Sequence, residues 1–123
     1  MKVEAILFDC DGVLVDSEPS TNGVLREMLA EAGWVLTPEE CMRLFIGKMV
    51  RSEAARIEHH TGRPLTDEWM SAFYARRNAA LEAQLTAIEH IHGTVERVHA
   101  HHDGRIACAS GADRFKVEMQ LAK

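Results

Sequence analysis

Asp9 and Asp11 stand at i and i+2, directly behind the apolar run Val3 to Phe8. Like charges placed that close repel, and a hydrophobic core has no use for two of them. A bound divalent cation and a phosphoryl group would account for the pair, because hard cations take oxygen ligands. Gly12 follows at once and supplies the backbone freedom that a tight loop beside a ligand needs. A second chemical locus lies far along the chain, where the apolar stretch Arg105 to Ala109 runs into Ser110-Gly111-Ala112-Asp113. A strand end, a small hydroxyl residue, a glycine and a helix N-terminus together form a seat for phosphate.

The elements that must position these residues follow from periodicity and caps. Val3 to Phe8 reads as a short buried strand. Asp16 and Ser17 are good N-caps for a helix from Glu18 to Ala32, with Val24, Leu25, Met28 and Leu29 at helical spacing and Gly33 as its stop. Thr37-Pro38-Glu39-Glu40 opens a second, short helix ending near Gly47. A third is expected over Arg51 to His60, capped by Ser52 and closed at Thr61-Gly62-Arg63-Pro64. Thr66-Asp67-Glu68 begins a fourth, reaching about Leu85, with Trp69, Phe73, Ala80 and Leu81 facing inward. Four consecutive helices without a strand make a small bundle. A helix from Gly93 to about His102, the strand Arg105 to Ala109, and a last helix capped by Asp113 and running through Ala122 complete the chain.

Composition bounds the class. With 123 residues, 46% hydrophobic and 27% charged, the chain is one ordinary globular domain. A net charge of −5 argues against a nucleic-acid partner. No apolar run approaches the roughly 18–20 residues of a membrane span, and the N-terminus lacks a signal-peptide pattern. Cys10, Cys41 and Cys108 have no metal-ligand spacing and read as reduced thiols of a cytoplasmic protein, with Cys10 as filler between the aspartates. The histidines His59-His60 and His99-x-His101-His102 do not stack on one helix face and read as surface residues rather than a metal site.

The run Phe8-Asp9-x-Asp11-Gly12-Val13-Leu14-x-Asp16-Ser17-Glu18 resembles the first motif of the haloacid dehalogenase-like (HAD) phosphohydrolases. The likeness is to the branch that contains phosphoglycolate phosphatase, sugar phosphatases and β-phosphoglucomutase. Ser110 matches that family's second motif. The resemblance implies an α/β fold, the N-terminal part of a Rossmannoid parallel sheet with an inserted four-helix cap: residues 1–15 and 88–123 as core, 16–87 as cap. It implies Asp9 as nucleophile, forming an aspartyl-phosphate, and Asp11 as the acid and base, its carboxyl raised by the neighbouring charges. Mg²⁺ would be held by the Asp9 carboxylate and the Asp11 backbone carbonyl. Ser110, Gly111 and Gly12 would hold phosphate, and Lys48 and Arg51 are cap candidates for substrate contact.

The implied partner is a small phosphorylated metabolite such as a sugar phosphate. Thr21 stands where the mutases compared carry histidine, which leans toward hydrolase over phosphomutase. The family's third-motif lysine and fourth-motif acid find no match, Lys116 and Lys123 lying too early for the former. The resemblance therefore extends over the N-terminal part of a family member, and a truncated, non-catalytic chain is the reading from another class. Two parallel strands alone leave sheet edges uncovered and open to pairing with a second chain.

Overall fold

The computed structural model describes residues 2–123. Two compact units are present, one comprising the residues up to Ser17 with Gln84–Lys123, the other Glu18–Ala83. The sequence placed these divisions at 15/16 and 87/88. Residues 84–87 and 16–17 stay with the first unit because the Asp16 N–H donates to the Thr86 carbonyl at 2.9 Å and Val15 bridges Ala87.

The first unit is α/β. Strand β1 (Ile6–Phe8) pairs in parallel with β2 (Ile106–Cys108), in the register Ile6↔Ile106, Leu7↔Ala107, Phe8↔Cys108. Helix α5 (Ile91–His101) precedes β2 and α6 (Arg114–Leu121) follows it. Both strands are shorter than the periodicity suggests, and β1 is not the buried strand expected: Leu7 is 71% exposed, with Ile6 and Phe8 half-buried. The apolar pattern of Val3 to Phe8 describes a strand made for neighbours on both faces, whereas only one face is packed in this two-stranded sheet.

The second unit holds α1 (Glu18–Glu31), α2 (Pro38–Phe45), α3 (Ala54–Thr61) and α4 (Asp67–Gln84), with a 3₁₀ turn at Val50–Glu53. Gly33 ends α1 at φ 97°, and the Trp34 N–H closes back on the Leu29 carbonyl. Thr37 and Glu40 form a reciprocal capping box at α2: the Thr37 hydroxyl accepts from the Glu40 N–H and the Glu40 carboxylate from the Thr37 N–H. Ser52 does not cap α3. Its hydroxyl donates to the Met49 carbonyl inside the 3₁₀ turn, so the helix begins later, at Ala54. The core joins Val24, Leu25, Met28 and Leu29 of α1 to Trp34, Phe45, Ile57, Met70 and Phe73. Trp34 stacks on His60, with ring centroids 4.0 Å apart. No helix among the described residues is long and apolar enough to cross a membrane.

Candidate active site

Parallel pairing decides where the chemistry gathers. Because β1 and β2 run the same way and Phe8 sits opposite Cys108, the residues that follow each strand leave by the same sheet edge. The Ala109 N–H donates to the Phe8 carbonyl at 2.8 Å, carrying the ladder one step further. Asp9 and Asp11 therefore emerge beside Ser110, at the carboxyl ends of the strands, where open α/β sheets bind ligands.

The loop behind β1 is tied tightly. The Cys10 carbonyl accepts from the N–H groups of Val13, Leu14 and Val15, and Gly12 adopts φ 75°, a left-handed conformation that glycine reaches without strain. The Gly12 N–H donates to the Val15 carbonyl at 2.8 Å. It is thus engaged within the loop, and Gly12 shapes the turn rather than offering the phosphate donor expected of it. Asp9 is exposed, and its Oδ1 accepts from the Cys10 N–H at 2.8 Å.

Asp11 is the most heavily bonded side chain of the site. Its Oδ1 accepts from the Ser17 hydroxyl at 2.7 Å, the Gln120 amide at 2.9 Å and the Lys116 ammonium at 3.0 Å. Burial alone would raise the Asp11 carboxyl, but the hydrogen bonds from Gln120, Ser17 and Lys116 outweigh it and hold the group below its ordinary value. The raised carboxyl expected from sequence is that of the group beside a bound phosphate, and these hydrogen bonds act in the opposite direction. That expectation considered the acidic neighbour and a phosphate, and knew nothing of a lysine arriving from α6.

Gln120 is itself oriented. The Cys10 thiol donates to its Oε1 at 3.5 Å, which leaves the amide nitrogen toward Asp11. Cys10 is fully buried, and burial, reinforced by Cys108 and Asp11, pushes its thiol up to about 11, so it remains the neutral donor. The residue read as filler between two aspartates sets the direction of an amide.

On the other side of the sheet edge the Ser110 oxygen accepts from the Ala112 N–H at 3.1 Å, a small turn that leaves the hydroxyl proton to donate. Asp113 caps α6 by accepting from the Lys116 N–H at 2.9 Å. Lys116, Gln120 and the hydroxyl role of Ser17 were missed by sequence reasoning. The available signal was the i, i+4 spacing of Lys116 and Gln120, which puts both on one face of α6. Lys48 and Arg51 lie in the helical unit, exposed and in ion pairs with Glu53 at 3.8 Å and Asp67 at 3.0 Å.

Among the described residues no group of three or more His, Cys, Asp or Glu side chains is placed to hold a metal. The donors present are hard oxygens, an exposed carboxylate at Asp9 and the backbone at Asp11. That sparse set fits Mg²⁺, which usually keeps several waters and binds through one or two carboxylates and the substrate phosphate. The helical unit holds a separate hollow of about 590 Å³, lined by Met28, Ile57, Leu65 and Trp69, with Arg76 tied to Glu31 at 2.7 Å.

A family model of the haloacid dehalogenase-like hydrolases matches residues 3–123. The 6-phosphogluconate phosphatase of Escherichia coli (strain K12) is 46% identical over 46 residues, covering 37% of this chain and 21% of that protein. Among solved structures, a haloacid dehalogenase-like protein of unknown function from Agrobacterium tumefaciens str. C58 superposes with a TM-score of 0.82 at 26% identity. That match covers 98% of this chain and 53% of the other. A HAD family hydrolase from Deinococcus radiodurans R1, with bound phosphate and sodium, gives a TM-score of 0.71 at 29% identity over 97% and 51% of the two chains. The chain spans about half the length of these solved structures.

Proposed function

The chain belongs to the haloacid dehalogenase-like hydrolases, and on that footing we propose that it carries the nucleophile and the acid–base group of a Mg²⁺-dependent phosphatase of small phosphorylated metabolites. The observation behind this reading is the parallel register that brings Asp9 and Asp11 to the sheet edge occupied by Ser110. In the first step the Asp9 carboxylate attacks phosphorus, the bond to the alkoxide breaks, and Asp11 gives that alkoxide a proton. In the second, water attacks the aspartyl-phosphate, Asp11 takes the water's proton, and phosphate leaves with Asp9 restored.

Asp11 rests as the carboxylate, the state that the second step needs. For the first it must be protonated, and a monoanionic phosphate ester brings that proton with it. The Ser110 hydroxyl and the N–H groups of Asp11 and Gly111 hold the phosphoryl oxygens. The Asp9 carboxylate and the Asp11 carbonyl would hold Mg²⁺, which when bound offsets charge on the phosphoryl group. The E. coli relative favours a phosphorylated sugar acid as the metabolite to try first, and Thr21 in place of a mutase histidine favours water as the acceptor.

The test is release of phosphate from p-nitrophenyl phosphate and 6-phosphogluconate by the purified chain with Mg²⁺, with acid quenching to trap a phosphorylated protein. Asp9→Asn is expected to lower turnover by at least about 10³-fold and to abolish the trapped phosphoryl group. Turnover that survives Asp9→Asn overturns the reading.

A further inference from the structure

Three donors converge on one oxygen of Asp11, and two of them come from the same face of α6. Lys116 and Gln120 are 8% and 1% exposed, so a cation and an amide occupy the buried face of a helix whose exposed positions include Phe115 and Leu121. An eight-residue helix that buries its lysine and exposes its phenylalanine is not arranged for packing alone. The Lys116 backbone is fixed by the Asp113 cap, and the Gln120 amide is fixed by the Cys10 thiol. Each donor to Asp11 is therefore itself anchored. Among the described residues, the side-chain bonds of Asp11 all end on Oδ1.

We propose that Lys116 and Gln120 are positioning residues for Asp11: by holding Oδ1 from α6 they fix the carboxyl plane and leave Oδ2 as the oxygen that exchanges the proton. The inference rests on the phosphatase reading and deepens it. A carboxylate turning about its Cβ–Cγ bond presents either oxygen, and a proton transfer gains when only one is presented in a set direction. Lys116 acts through Asp11, so its loss should be felt in the turnover step and little in capture of the ester.

The experiment pairs two readouts on the whole chain. With p-nitrophenyl phosphate and Mg²⁺, Lys116→Met is expected to lower kcat by about 10- to 100-fold while KM stays within about 2-fold, as for a group whose benefit is realised in the transition state. Lys116→Arg should recover much of the loss, and Gln120→Leu should show the same kcat pattern more weakly. A Lys116→Met chain with unchanged kcat, or with the whole effect in KM, overturns the proposal; the latter would make Lys116 a direct ligand of the phosphate.

The second readout needs no turnover. In urea unfolding of the parent, Lys116→Met, Asp11→Asn and the double variant, the second substitution should cost less once the first is made. Additive losses overturn the contact itself. A parent chain without Asp9-dependent turnover sinks the phosphatase reading and the positioning role with it, and the unfolding cycle then still decides whether the contact exists.

Discussion

The ammonium of Lys116 lies 3.0 Å from Oδ1 of Asp11, between residues 105 apart in sequence. Neither partner is fully exposed, with side chains 10% and 25% accessible, so the pair is poorly screened by solvent. It joins the last helix of the α/β unit to the loop behind its first strand. The same carboxylate that the proposed chemistry requires thus also ties the unit together.

That double duty sets a pH dependence. The folded Asp11 carboxyl lies below its ordinary value of 3.8, so its contribution to stability is fully present above that value and is lost as pH falls through the folded pKa. Asp11→Asn should cost about 1.5–3 kcal/mol at neutral pH, the scale for hydrogen bonds to a charged group. The gap from the parent should close in acid. Urea unfolding across the acid range checks this; a gap independent of pH would mean that the carboxylate is not the stabilising form.

Thiol chemistry should separate the cysteines. Cys10 and Cys41 are buried, and burial pushes the thiols of both up, whereas Cys108 is only half-buried. Iodoacetamide at mildly alkaline pH should label Cys108 first and reach Cys10 only with unfolding. Peptide mapping of the label decides it, and early modification of Cys10 would contradict the buried thiol–amide bond.

The helical unit should respond to substitution by its own rules. Phe73 is 2% exposed in the centre of that core, and Phe73→Ala should cost about 3–5 kcal/mol. Thr37→Ala removes one half of the capping box and should cost about 1 kcal/mol. Circular dichroism in urea measures both, and equal losses would mean that the Phe73 site collapses around the missing ring.

The α/β unit leaves apolar side chains in water. Leu7 on β1 and Phe115 on α6 are 71% and 65% exposed, and both strands of the sheet are edges. Such surfaces seek a partner. Sedimentation over a concentration series should show self-association that weakens on Leu7→Lys; a monomer at every concentration would contradict it.

The parts of this candidate site that follow a strand were legible in the sequence. Asp9, Asp11 and Ser110 announce themselves because an apolar run stops and a polar or glycine residue follows, and the parallel register then brings them together. Caps were equally legible at Thr37 and Asp113, where one side chain and one N–H three residues on settle the matter. Lys116 and Gln120 were not, because apolar periodicity assigns the inside of a helix to its hydrophobic residues and α6 reverses that order. Ser52 misled for a related reason: a hydroxyl suited to capping found a nearer carbonyl at Met49. The state of the Asp11 carboxyl could not be read from neighbours along the chain when the cation that sets it comes from so far away.

The pairing of Ile6 with Ile106 has a kinetic side. A contact between strands so distant must close a loop of about a hundred residues, and closure entropy grows with the logarithm of that length. The helical segment between them has its own core, and contacts within helices form faster. Asp9 leaves the ribosome about a hundred residues ahead of Ser110, Lys116 and Gln120. During synthesis Asp9 therefore waits, without its sheet partner or its neighbours from α6, for the larger part of the time that this stretch takes to translate.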